Sequence, residues 1–135
     1  MSGVSIIDIP KFLDERGNLS FIENGKFLPF EIKRTYWIYD VPGGEIRGGH
    51  AFKEQEEVII ALSGSFDVVL RDEVKESRFS LNRSYQGLYV PCMCWRRMEN
   101  FSTNAVCLVL ASTFFQENDY IRDFETFLKI SDNKR

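Results

Sequence analysis

The chain's one histidine, His50, lies in the segment GGEIRGGHAFKEQEE (43–57). An imidazole has an ordinary pKa of ~6.5, so it can take up and return a proton near neutral pH. A lone histidine is more often structural or merely exposed than catalytic, and its surroundings have to decide. Glycines at 43, 44, 48 and 49 let the backbone approach another group closely. Glu45, Arg47, Lys53, Glu54, Glu56 and Glu57 crowd charge into the same stretch. The apolar run VIIAL (58–62) that follows reads as a buried strand, a rigid anchor for a loop carrying His50.

Other residue types at telling spacings point elsewhere or nowhere. Glu56 and Glu57 are adjacent, and neighbours on a strand face opposite ways. They cannot share a proton as a glycosidase pair does, and at most one faces inward, where it could orient His50. Cys92, Cys94 and Cys107 are an odd number with only His50 to complete a four-ligand zinc site. They read as reduced thiols packed in or near strands. No G-x-x-x-x-G-K-[ST] loop is present, so any phosphate site must be built from side chains.

The elements that must position these residues are short. Apolar runs at 4–9, 19–23, 34–41, 57–62, 65–70, 77–81, 87–92 and 105–112 alternate with turn signals such as 14–18 and Pro42-Gly43-Gly44. Their enrichment in Val, Ile, Phe and Tyr predicts an all-β sandwich or barrel. Leu62-Ser63-Gly64-Ser65 reads as a tight hairpin turn, with Gly64 at positive φ. From about Asp119, residues Tyr120, Phe124, Phe127 and Leu128 recur at helical spacing, which predicts a short amphipathic C-terminal helix against the outside of the β body. In RTYWIY (34–39) the alternation puts Arg34, Tyr36 and Ile38 on one face and Thr35, Trp37 and Tyr39 on the other.

With 135 residues, 44% of them hydrophobic, the chain has the size and apolar content of one domain, residues 1–135. Seventeen Lys and Arg against twenty Asp and Glu give a net charge of −3, which argues against a nucleic-acid partner. No run approaches the ~20 apolar residues of a membrane span, and the N-terminus lacks a signal-peptide pattern. The expected setting is cytoplasmic.

The spacing of Gly44, His50, Phe52, Glu56 or Glu57 and Gly64 resembles the first cupin motif. Gly87, Pro91 and Asn100 resemble the second, with Arg96 where its histidine normally falls. One imidazole and one carboxylate beside a permanent cation make a poor transition-metal site, so the expectation is a metal-free cupin with no cofactor. Among metal-free cupins, DERGNLSFIE (14–23), PFEIKRTYWIYDVP (29–42), RGGHAFK (47–53), VIIALSGSFDVVL (58–70), GLYVP (87–91) and VLASTFFQENDYIRDFETF (109–127) are similar to the dTDP-sugar 3,4-ketoisomerases, the WxcM-like sugar isomerases.

That resemblance implies an all-β cupin-type barrel, or jelly roll, and conversion of dTDP-4-keto-6-deoxyglucose into a 3-keto-6-deoxyhexose for 3-amino sugar synthesis. It implies His50 as the base and Tyr36 or Arg34 as donors to the C4 oxygen. Arg16, Arg47, Lys53 and Arg96 are the cations available to the sugar and its diphosphate. The family typically carries R-G-x-H-A-H-K, and this chain has Phe52 at the second histidine. A non-catalytic dTDP-sugar binder and a 3,5-epimerase on the same scaffold therefore stand as alternatives. The family also implies a homodimer with an exchanged N-terminal strand.

Overall fold

The computed structural model describes residues 3–133. Two five-stranded antiparallel sheets face one another, with a small hairpin to one side. The first sheet runs in the order β1 (Ser5–Asp8), β9 (Gln86–Val90), β6 (Glu57–Ser63), β11 (Val106–Ala111), β4 (Arg34–Ile38). The second runs β12 (Tyr120–Ile121), β5 (Arg47–Phe52), β10 (Trp95–Glu99), β7 (Phe66–Arg71), β8 (Glu76–Leu81). The strands β2 (Lys11–Phe12) and β3 (Leu19–Ser20) form the hairpin.

The main core lies between the sheets. Ile59, Ala61, Leu88, Cys107 and Val109 of the first sheet pack on Phe66, Val68, Leu70, Leu81 and Met98 of the second. Ile60, Val58 and Leu110 point the other way and are covered by Ile22, Leu28, Phe30 and Ile32. Burial on both faces explains why EVIIAL reads as an unbroken apolar run rather than an alternation. The jelly-roll, cupin-type architecture expected from the sequence is the one found.

Three local expectations are corrected and one strand that the sequence reading lacked is added. First, residues 62–65 turn, with Gly64 at φ 67°, but β6 and β7 do not pair. Both sides of β6 are already taken by β9 and β11, so β7 crosses to the other sheet. The turn is held by the 101–105 loop, through Ser65 N–H to Ser102 Oγ at 2.8 Å and Ser102 N–H to Ser65 O at 2.8 Å. Second, His50 is on strand β5, not on a loop.

Third, WRRME (95–99) forms β10, which its charge conceals from a reading by hydrophobicity. Fourth, the helix α1 (Phe124–Asn133) begins later than predicted. Asp123 caps it, its Oδ2 accepting from Thr126 N–H at 3.0 Å. Tyr120 and Ile121 extend instead, as β12, along the free edge of β5. As expected, the helix lies outside the β body, with Phe127 and Phe124 against Trp95, Ala51 and Ile121.

Candidate active site

Four strands from the two sheets aim polar side chains into one end of the interior. Alternation on β4 turns Arg34 and Tyr36 inward and leaves Thr35 and Trp37 exposed. On β5 and β10, His50 and Arg96 are register partners. Glu57 at the start of β6 is 1% exposed, while Glu56 points to the opposite face and accepts from Tyr89.

Arg96 is the hub. Its guanidinium is 1% exposed and donates from Nε to Glu57 Oε1 at 2.9 Å, from Nη2 to Tyr36 Oη at 2.9 Å and from Nη1 to Gly48 O at 3.1 Å. Burial opposes its charge, but the charge of Glu57 and the hydrogen bond to it more than offset this and raise its pKa. The Tyr36 hydroxyl donates to Glu57 Oε2, and burial together with that carboxylate raises the phenol pKa. Gln55, 2% exposed, donates from Nε2 to the same Oε2 at 2.9 Å. Glu57 therefore serves Arg96, Tyr36 and Gln55 rather than orienting His50.

Gly48 makes room for this hub. Its φ is +73°, and a Cβ there would stand 2.3 Å from Arg96 Nη1. A side chain at 48 and the buried guanidinium are mutually exclusive in this arrangement.

His50 sits beside the hub in aromatic company. Its ring lies 4.9 Å from the Phe52 ring, edge-on, and 5.0 Å from the Tyr120 ring. Its Nε2 is buried and makes no hydrogen bond to the described residues. Burial, then the charges of Arg96 and Arg122, lower its pKa to about 3. The imidazole is therefore neutral at physiological pH, with an uncommitted buried nitrogen.

The other expected residues divide. Arg34 joins the cluster, donating from Nη2 to Gln55 Oε1 at 2.9 Å, and its Nε is buried without a hydrogen bond to the described residues. Arg47 and Lys53 are exposed at the two ends of β5. Arg16 is not brought to the cluster: it lies on the turn between β2 and β3, 90% exposed at the side chain and paired with Asp14 at 2.9 Å. The pair is local, between residues two apart on the same turn.

Sequence reasoning passed over Gln55, Thr113, Tyr120 and Arg122. The last two reach His50 only because β12 joins β5, and nothing in their spacing announces that pairing. Arg122 stacks on Tyr120 at 4.2 Å and extends its charge toward His50. Cys94 and Cys107 have pKa values pushed up to about 12 by burial, which suits packed thiols rather than nucleophiles. Among the described residues, no three His, Cys, Asp or Glu gather as metal ligands do.

This arrangement, a neutral buried imidazole beside a buried cation and a phenol, can exchange a proton with carbon and stabilise an adjacent oxyanion. Comparison with known proteins shows the family. The family model described as FdtA: WxcM-like, C-terminal matches residues 2–132. The chain is 43% identical over 124 residues to a TDP-4-oxo-6-deoxy-alpha-D-glucose-3,4-oxoisomerase of Aneurinibacillus thermoaerophilus, covering 92% of this chain and 89% of that one.

A 3,4-ketoisomerase from Helicobacter canadensis superimposes with a TM-score of 0.93 at 45% identity, over 96% of this chain and 98% of its own. A histidine-to-asparagine variant of the QdtA 3,4-ketoisomerase of Thermoanaerobacterium thermosaccharolyticum, solved with TDP-4-keto-6-deoxyglucose, superimposes with a TM-score of 0.96 at 34% identity, over 99% and 97%. From its inward-facing residues to its whole-chain likeness, this protein belongs to the WxcM-like, FdtA-type family of dTDP-sugar 3,4-ketoisomerases.

Proposed function

We propose that this chain converts dTDP-4-keto-6-deoxyglucose into a dTDP-3-keto-6-deoxyhexose without a metal, with His50 as the proton-transfer base. The observation that carries the reading is the buried, unpartnered Nε2 of His50 next to the Arg96–Tyr36 donor pair. His50 takes the C3 proton, and the C3–H electron pair forms the C3–C4 double bond of an enediolate. Negative charge gathers on the C4 oxygen, which Arg96 and Tyr36 stabilise. Tyr36 turns its hydroxyl proton from Glu57 to that oxygen. Return of a proton to C4 and loss of the C3 hydroxyl proton complete the isomerisation with no net change in atoms or electrons.

Burial, and after it the charges of Arg96 and Arg122, hold the imidazole pKa down. The negative diphosphate opposes their charges, so substrate binding raises His50 toward a useful basicity. Arg34 serves the sugar, while Arg47, Lys53 and Arg122 stand where an anionic group can approach from solvent. Phe52 supports His50 by packing rather than by a second imidazole. The donor set argues for metal independence, because Phe52 and Arg96 occupy the motif positions where a metal cupin places histidines.

We further infer a cytoplasmic homodimer that supplies a 3-keto sugar to an aminotransferase. Exposed Phe12, Leu13, Trp37, Tyr39 and Leu62 support a partner surface, and a concavity of about 590 Å³ lies among Trp37, Tyr39, Leu62 and Leu108. The proposed place of Arg16 is across that interface, at the partner's sugar site.

The test is incubation with dTDP-4-keto-6-deoxyglucose in deuterated buffer, followed by proton NMR. Loss of the C3 proton signal with a new 3-keto product is expected. Exchange at C5 would mean a 3,5-epimerase, and saturable binding without exchange would mean a non-catalytic binder.

A further inference from the structure

The geometry points to Gln55 as a positioning residue that couples Arg34 to the Glu57–Tyr36–Arg96 hub, and so aligns the sugar with its proton donor; this rests on the ketoisomerase reading above. Gln55 lies between β5 and β6 and is 2% exposed. All its side-chain polar atoms are engaged. Oε1 accepts from Arg34 Nη2 at 2.9 Å and from Thr113 Oγ1 at 2.6 Å, while Nε2 donates to Glu57 Oε2 at 2.9 Å. Its backbone N–H is fixed by Asp119 Oδ2 at 3.1 Å, and Asp119 is itself buried.

A primary amide is the side chain that suits this place. It offers an acceptor to a cation on one side and a donor to a carboxylate on the other while adding no charge. A carboxylate at 55 would confront Glu57, and an apolar residue would leave both Arg34 and Glu57 short of a partner. The amide also fixes direction. With Nη2 held by Gln55, Arg34 keeps its buried Nε free of other hydrogen bonds, available to a ligand oxygen. With Oε2 of Glu57 satisfied by Gln55, Tyr36 can turn its proton away to substrate without stranding the carboxylate.

Two variants test this, Gln55→Leu and Gln55→Glu, each compared with the unaltered protein for kcat, pH profile and ligand affinity. Gln55→Leu is expected to lower kcat about tenfold or more. It should also shrink the affinity advantage of dTDP-4-keto-6-deoxyglucose over dTDP, measured by calorimetry in a His50→Asn background, with dTDP affinity itself within about threefold. Gln55→Glu is expected to work best at low pH, where the new carboxyl keeps a proton to donate to Glu57, and to lose activity as pH rises. The unaltered protein, with no carboxyl at 55, should lack that limb, and a purely structural role would not create it.

Gln55→Leu within twofold of the unaltered protein in kcat and affinity advantage, or Gln55→Glu with an unchanged pH profile, overturns the assignment. An unaltered protein that binds the sugar nucleotide without converting it overturns the function instead, and the affinity advantage still decides the role of Gln55. If Gln55→Leu does not fold, the Gln55→Glu profile decides.

Discussion

His50 and Arg96 are paired across the β5–β10 ladder, so the imidazole and the buried cation beside it are fixed by backbone hydrogen bonding rather than by loop conformation. Burial first, and the guanidinium charge after it, keep the imidazole neutral. In the proposed reaction an arriving diphosphate offsets the second of these.

His50→Asn should reduce turnover by about 10³-fold, in the range that general acid–base groups contribute. Binding of dTDP should persist, since the ring's contacts are with Phe52 and Tyr120. Steady-state kinetics beside calorimetry with dTDP checks both parts.

The same histidine makes stability depend on pH in a definite direction. Its folded pKa of about 3 lies below the ordinary 6.5, so in that window the unfolded chain binds the proton and the folded chain does not. Stability therefore falls as pH drops from about 6.5 toward 3. Carboxylates such as Asp67, lowered in the fold, add a background loss at acid pH. The Tm difference between pH 7 and pH 4.5 should be smaller in His50→Asn than in the unaltered protein.

Arg96→Met should cost about 3–5 kcal/mol in urea unfolding, because it leaves the Glu57 carboxylate buried without its cation. Adding Glu57→Gln should recover part of that loss while activity stays low. A double variant no more stable than Arg96→Met alone would contradict this account of the pair.

Gly48→Ala should abolish most activity with a smaller effect on the overall fold. The left-handed backbone costs a non-glycine residue about 1–2 kcal/mol. The new methyl must also displace Arg96 Nη1. Circular dichroism and turnover measured together separate the two effects.

Much of this site was legible in the residues themselves. The alternation of RTYWIY gave the inward pair Arg34 and Tyr36, and the adjacency of Glu56 and Glu57 gave their opposite faces. What was not legible depends on pairings between distant segments. Glu57 chose Arg96 over His50 because β10 lies within its reach, and β10 is too charged to be read as a strand. Tyr120 looked helical by spacing, yet the free edge of β5 claimed it. Within the chain Arg16 stays on its own turn, paired with Asp14 and apart from the His50 cluster, a placement that its charge alone does not reveal.

The crossing of the chain between sheets after β6 has a consequence for assembly during synthesis. Among the described strands, only β2–β3 and β7–β8 join neighbours across a short turn; Tyr36 must wait for Val109, and Phe52 for Tyr120. Such long-range closure is slow compared with local folding. A nascent chain that has emerged only as far as Ser112 holds His50, Arg96 and Tyr36 but lacks the strand that roofs the imidazole. The neighbour that roofs the imidazole is thus added only after His50, Arg96 and Tyr36 have all been made.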